Sequence, residues 1–148
     1  MANETRKLPD AVLFACTRNV VRSPMAAALL HHLHGNKIYV ASAGLARGEP
    51  DGFAVQVMAE IGIEMGHHRS RTFEDLGDNF FNLIVSLSPE AQHHAARLTE
   101  RLALEIEYWP MLDPSIFEGS REQTLNAYRS IRDNLASRVR ARFPVGPS

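Results

Sequence analysis

Short strand-forming runs that alternate with helix-spaced stretches constrain this chain more than any other feature. "AVLFA" (11–15), "KIYVAS" (37–42), "FNLIVSLS" (81–88) and "LEIEYW" (104–109) are β-branched or aromatic runs bounded by turn residues, which predicts four strands. Between them apolar residues recur at helical spacing: Ala26, Leu29, Leu30 and Leu33; Ala54, Val57, Met58 and Ile61; Ala91, Ala95, Leu98 and Leu102. A fourth stripe, Leu125, Tyr128, Ile131, Leu135 and Val139, closes the chain. Such alternation builds right-handed βαβ units, because each crossover helix must return over the sheet to feed a parallel strand. The expected fold class is therefore α/β, a three-layer αβα sandwich, Rossmann-like, with a central four-stranded parallel sheet and helices on both faces. A chain of 148 residues suits one domain spanning 1–148, which can bury about two thirds of the surface its unfolded form exposes. Residues 1–9 and 144–148 are expected to be frayed ends.

Open sheets of this kind bind ligands beyond the carboxyl ends of their strands. The first strand ends at Cys16, and "SAG" (42–44), "SLSPE" (86–90) and "WPMLDP" (109–114) gather on the same rim. After Cys16 the chain reads "CTRNVVRSP", a loop of about seven residues leading from a strand into a helix. In such a loop the N–H groups of Thr17, Arg18, Asn19, Val20, Val21, Arg22 and Ser23 can turn inward and form a nest for phosphate or arsenate. The planar fork of Arg22 can hold two oxygens of that anion at once. Ser23 can cap the helix or donate to a thiolate, and Pro24 suits the first helical position. The helix field and Arg22 should lower the Cys16 pKa below that of a free thiol. A lone cysteine at a strand end is more often plain core packing; the ordered conjunction of strand, thiol, spacer, Arg22, Ser23, Pro24 and helix is what selects the chemical reading.

Composition removes several alternatives. One cysteine excludes an internal disulfide framework and a Cys-rich zinc site, and points to a reducing compartment, with the cytoplasm expected. Lys and Arg number 16 against 17 Asp and Glu, interspersed, so no basic face for nucleic acid is expected. No run of eighteen apolar residues predicts a membrane span. The histidines at 31–32, 67–68 and 93–94, with His34, lack acidic or Cys partners at ligand spacing, so solvated helix ends are expected and no metal. Arg129, Arg132, Arg138, Arg140 and Arg142 read as the solvated side of an amphipathic helix, and Tyr108 and Trp109 as strand-end packing. No cofactor is implied. The expected partner is a phosphoester or oxyanion substrate, a phosphotyrosine protein included, and the expected state a monomer or weak dimer.

The motif "CTRNVVRSP" resembles the loop of the low-molecular-weight protein tyrosine phosphatases and the arsenate reductases built on the same fold, CxGNxxR[ST]P after a strand. The resemblance continues through "SAG" (42–44), "HRSR" (68–71) and "DP" (113–114), nearly the whole chain. It implies that Cys16 is the nucleophile, Arg22 the oxyanion clamp, Ser23 the thiolate partner and Asp113 the general acid. It further implies that Asn19, Ser23, Ser42 and His68 support the loop by hydrogen bonds. Arg18 stands where the family has a loop glycine, and Val21 where many of the phosphatases have a second loop cysteine. The aromatic residues that often wall the family's pocket are thin after Gly44 and after Pro114.

The main functional expectation is a phosphomonoesterase of the protein tyrosine phosphatase type, working through a cysteinyl-phosphate. The alternative is arsenate reduction with an external thiol, glutathione with glutaredoxin or a similar small thiol, since an internal disulfide relay needs two further cysteines. A second alternative is a non-catalytic oxyanion or phosphopeptide binder.

Overall fold

The computed structural model describes residues 8–77, 80–100 and 102–146. The frayed ends expected at the termini fall mostly on residues 1–7, 147 and 148, outside the described residues. The chain forms β1 (Ala11–Cys16), α1 (Arg22–His34), β2 (Tyr39–Gly44), α2 (Gly52–Ala59), β3 (Leu83–Ser86), α3 (Pro89–Leu98), β4 (Glu105–Tyr108) and α4 (Arg121–Arg142). The four strands make one parallel sheet in the order β2-β1-β3-β4. This is the α/β sandwich that the alternation predicts.

β1 lies between two neighbours and is buried along its whole length, which is why it is a continuous apolar run with no polar alternation. Its side chains still divide by parity. Val12, Phe14 and Cys16 join the larger core with Met25 and Leu30 of α1, Val57 and Met58 of α2, and Tyr128, Leu135 and Val139 of α4. Ala11, Leu13 and Ala15 face a smaller core built from Ile84, Leu76, Phe81 and Ala91 and Ala95 of α3. Cys16 thus stands at the carboxyl end of the central strand, on the face covered by three helices.

Two expected stripes stop early. α2 ends at Ala59 and α3 at Leu98, so Ile61 and Leu102 lie beyond the helices and are largely exposed. The strands expected at 37–42, 81–88 and 104–109 shrink or shift because ladder pairing, and not residue preference, sets their ends.

Three residues expected on solvated surfaces are enclosed instead. Arg132 is buried on α4, where it donates to the carbonyl of Val57 at 2.9 Å and to Glu60 at 2.7 Å. Arg129 reaches the same carboxylate, and its hydrogen bond is the first cause of a Glu60 pKa lowered from 4.5 to about 2. Arg142 donates to Glu107 at 2.6 Å, fastening the end of α4 to β4. His34 is buried as well and bonds through Nε2 to the carbonyl of Phe143 at 2.6 Å. An arginine or histidine reads as polar in a periodicity count, and its burial depends on partners from other elements that no local pattern reveals. Trp109 packs in the core, as expected, 5.9 Å from the Phe14 ring.

Phe143 closes the larger core, fully buried against Phe14 and Trp109. Phe143→Ala should lower stability by about 3–5 kcal/mol, read as a shift of the urea midpoint with an unchanged slope. A loss under about 1 kcal/mol would show that the segment after α4 is not part of the core.

Candidate active site

The loop that leaves β1 folds back around its own thiol. Ser23 Oγ lies 2.9 Å from Cys16 Sγ, and the Asn19 N–H donates to the same sulfur at 3.3 Å. Asn19 Nδ2 donates to Ser23 Oγ at 2.8 Å. Ser23 Oγ thus bridges Asn19 Nδ2 and the Cys16 sulfur, and of the two uses expected of Ser23 the structure shows the contact with the thiol and not the helix cap. α1 accordingly has no side-chain N-cap: it starts at Arg22, after Val21, and its first-turn N–H groups stay available to an anion. Pro24 is the third helical residue and not the first.

Asn19 is buried and has φ 59°, the one non-glycine residue with positive φ among the described residues. Asparagine tolerates this region better than most side chains. Arg18, which occupies the family's glycine position, does not need it. Three further contacts hold Asn19: its Oδ1 accepts from the Arg71 N–H at 3.0 Å, its carbonyl accepts from His68 Nε2 at 2.8 Å, and the Arg18 carbonyl before it accepts from Ser70 Oγ at 2.6 Å. Since a carbonyl only accepts, His68 carries its proton on Nε2. Burial pushes the His68 pKa below 6.5, opposed by the bond to Asn19 and assisted by the charge of Arg71.

Ser42 takes part through its backbone, its carbonyl accepting from Arg71 Nε at 3.0 Å. The more decisive residue in "SAG" is Gly44. A Cβ there would lie 2.8 Å from the Thr17 carbonyl oxygen and 2.9 Å from the Asn19 nitrogen, so the end of β2 presses directly on the loop backbone. Just beyond it, the N–H groups of Leu45 and Ala46 donate to the Thr17 carbonyl at 2.8 and 3.1 Å. Thr17 Oγ1 lies 3.1 Å from Ser88 Oγ, the N-cap of α3, and 3.3 Å from Glu90.

The loop forms the floor of a cleft of about 380 Å³ lined by Cys16, Arg18, Asn19, Val20, Val21, Arg22, Gly48, Glu49, Asp51, Asp113, Ser115 and Ile116. Arg22 is buried and donates to the Met111 carbonyl at 3.1 Å, with its other terminal nitrogen 3.7 Å from Asp113 Oδ2. Asp113 Oδ1 accepts from the N–H and the hydroxyl of Ser115 at 2.9 and 2.6 Å, which turns Oδ2 toward Arg22. Across the cleft, Asp51 caps α2 with Oδ1 and receives the Tyr128 hydroxyl on Oδ2 at 2.6 Å. The cleft therefore gathers Cys16, Arg22 and Asp113, with His68 and Ser42 behind the loop. Sequence reasoning passed over Ser70, Arg71, Asp51 and Tyr128; "HRSR" was a usable signal for the first two, whereas Tyr128 reads only as a core residue. No group of three His, Cys, Asp or Glu able to hold a metal occurs among the described residues, and none of their helices is long and apolar enough to cross a membrane.

Two measurements test this geometry. Gly44→Ala forces a methyl group into the Thr17–Asn19 backbone, and overpacking of about 1–3 kcal/mol should weaken binding of phosphate or vanadate by roughly tenfold or more in a calorimetric titration. Unchanged affinity would show that the loop's shape does not depend on that contact. Because His68 is held neutral with a depressed pKa, its contribution to stability is complete above the unfolded value near 6.5 and is lost as pH falls below it. His68→Gln should therefore flatten the fall in urea-midpoint stability as the pH drops below about 6.5; identical slopes in the two proteins would remove His68 from the account.

The chain matches the family described as low molecular weight phosphotyrosine protein phosphatase over residues 11–143. A glutaredoxin arsenate reductase of Synechocystis is 30% identical over 129 residues, covering 86% of this chain and 92% of that one. Among solved structures, an arsenate reductase in the phosphate-binding state is 27% identical with a TM-score of 0.69, covering 89% of this chain and 95% of that chain. The tyrosine phosphatase Wzb from Escherichia coli, solved with sulphate, has the same fold at a TM-score of 0.74 and 21% identity, with 90% and 96% covered. From β1 to the end of α4, then, this chain belongs to the low-molecular-weight phosphotyrosine protein phosphatase family, whose members include arsenate reductases.

Proposed function

We propose that this protein reduces arsenate at Cys16 with electrons from an external thiol. The observation that carries the reading is the cleft lining: no aromatic side chain is among the described residues that form it, so these offer a cradle for a tetrahedral anion and no ring to stack on a phosphotyrosine. Curated relatives named arsenate reductase, from 26 to 30% identical over at least 86% of this chain, support the same choice over the phosphatase first expected.

In the first step the Cys16 thiolate attacks arsenic. A sulfur–arsenic bond forms and an arsenic–oxygen bond breaks, the departing oxygen leaving as water with a proton from Asp113. Arg22 and the loop N–H groups hold the remaining oxygens. An external thiol next attacks Cys16 Sγ. A disulfide bond forms, the sulfur–arsenic bond breaks, and its electron pair stays on arsenic, which leaves as arsenite. A second thiol attacks the mixed disulfide, releases the Cys16 thiolate and carries away the oxidised disulfide. One arsenate and two thiols thereby give arsenite, water and one disulfide. With a single cysteine in the chain, no internal relay can replace the external thiol.

Phosphomonoester hydrolysis is the second reading, favoured by Asp113, whose Oδ2 at the cleft wall, 3.7 Å from Arg22, can protonate an ester's leaving group. A cysteinyl-phosphate would then be hydrolysed by water that Asp113 deprotonates.

The purified protein should form arsenite from arsenate only when glutathione, alone or with glutaredoxin, is supplied, and Cys16→Ser should fall to background. Thiol-dependent arsenite formation no greater than that of Cys16→Ser would reject the reduction. On phosphate esters, Asp113→Asn should slow alkyl substrates by about 10²–10³-fold and p-nitrophenyl phosphate much less. Equal losses on both would argue against a proton donor.

A further inference from the structure

Two side chains in the cleft wall carry opposite charges that nothing in the fold uses. Arg18 lies across Gly48: a Cβ on that glycine would come 3.2 Å from Arg18 Cβ and 3.5 Å from Cδ. Ser70 fixes the root of this arrangement, accepting from the Gly48 N–H at 3.0 Å and donating to the Arg18 carbonyl at 2.6 Å. The Arg18 guanidinium itself has no hydrogen bond or ion pair among the described residues, and neither has the Glu49 carboxylate; both are exposed, and both line the cleft that ends at Cys16. They do not neutralise each other. Every other arginine lining the cleft is engaged, since Arg22 is held by Met111 and Asp113.

Cys16 is only 2% exposed, at the floor of a cleft of about 380 Å³. A sulfur that resolves a Cys16 adduct has to travel down that cleft, which suits a molecule of tripeptide size better than a thiol fixed on the surface of a folded protein. An unpaired guanidinium whose backbone is held by Ser70 and an unpaired carboxylate lining the same cleft match the carboxylate and ammonium of an amino-acid or small-peptide thiol.

We infer that the thiol which resolves Cys16 is a low-molecular-weight zwitterionic thiol, with Arg18 binding its carboxylate and Glu49 its ammonium. This rests on the external-thiol reading above, and deepens it. Arg18 is then a specificity residue, and its presence in place of the family's small loop residue follows from the need to hold the second reactant.

The test needs no arsenate. The reduced protein is mixed with three symmetrical disulfides: dithiodipropionate, which carries carboxylates, cystamine, which carries ammonium groups, and the neutral hydroxyethyl disulfide. In each case the Cys16 thiolate attacks one sulfur, a mixed disulfide forms on Cys16 and the other half leaves as a thiolate, a step followed by intact mass. Rates relative to the neutral disulfide cancel general changes in the thiol's reactivity. Arg18→Gln should lower the dithiodipropionate ratio by about three- to fivefold, the scale of an exposed ion pair, and Glu49→Gln should do the same to the cystamine ratio. An unchanged dithiodipropionate ratio in Arg18→Gln would overturn the assignment, as would the absence of any mixed disulfide in the wild-type protein. If charge preference follows Arg18 and Glu49 while arsenate is not reduced, the thiol site stands and only the arsenate reading fails.

Discussion

The close approach of Gly44 to the Thr17–Asn19 backbone is the contact on which the site depends. β2 and β1 run parallel with Gly44 beside Cys16, so the end of one strand meets the loop that leaves the other. Only a residue without a side chain lets the loop settle there. Once settled, the Thr17 carbonyl takes two N–H groups from Leu45 and Ala46, and the chain turns through the left-handed conformation at Asn19. The segment from His68 to Arg71 locks the turn from behind, with His68, Ser70 and Arg71 each supplying one donor to Arg18 or Asn19. Strain at one residue is held by contacts from two separate parts of the chain, the end of β2 and the segment 68–71.

That scaffold explains why the chemistry is confined to the cleft. Asn19 serves twice, once as the bent residue and once as the side chain that orients Ser23 toward sulfur. Arg22 starts α1 and is held by the Met111 carbonyl, so its guanidinium is placed by the segment after β4 as well as by its own helix. Asp113 comes from that same segment, two residues further on. Cys16, Arg22 and Asp113 are therefore fixed relative to one another by the order β1-β3-β4 in the sheet.

Much of this was legible in the sequence, for a physical reason. Strands buried on both faces and helices with one buried stripe leave periodic traces, so the four parallel strands and the order of elements could be read from residues such as Val12, Phe14, Leu135 and Val139. The loop was legible because its functions need particular residue types close together in the chain. What could not be read depends on contacts distant in sequence. Arg132 and His34 look like surface residues until Glu60, Val57 and Phe143 are brought to them. Tyr128 looks like any core aromatic, although its hydroxyl reaches Asp51 in the cleft wall. Arg18 in place of the glycine left two readings open, a distorted loop or a position with no need of positive φ, and the structure gives the second, since Asn19 carries the positive φ. The functional emphasis follows the cleft as assembled: the thinness of aromatic residues after Gly44 and Pro114 is readable in the sequence, and none of the described residues lining the cleft is aromatic, which favours a free oxyanion over phosphotyrosine.

The central claim is that one buried cysteine carries an oxyanion adduct which a second molecule's sulfur must resolve. The most direct measurement is the intact mass of the protein quenched in acid during turnover with arsenate and a limiting amount of one small thiol. The account predicts a mixed disulfide on Cys16, heavier by the mass of that thiol less two hydrogens, which appears only when arsenate is present and vanishes when more thiol is added. A Cys16 that stays unmodified throughout, or an adduct that forms equally well without arsenate, would contradict it.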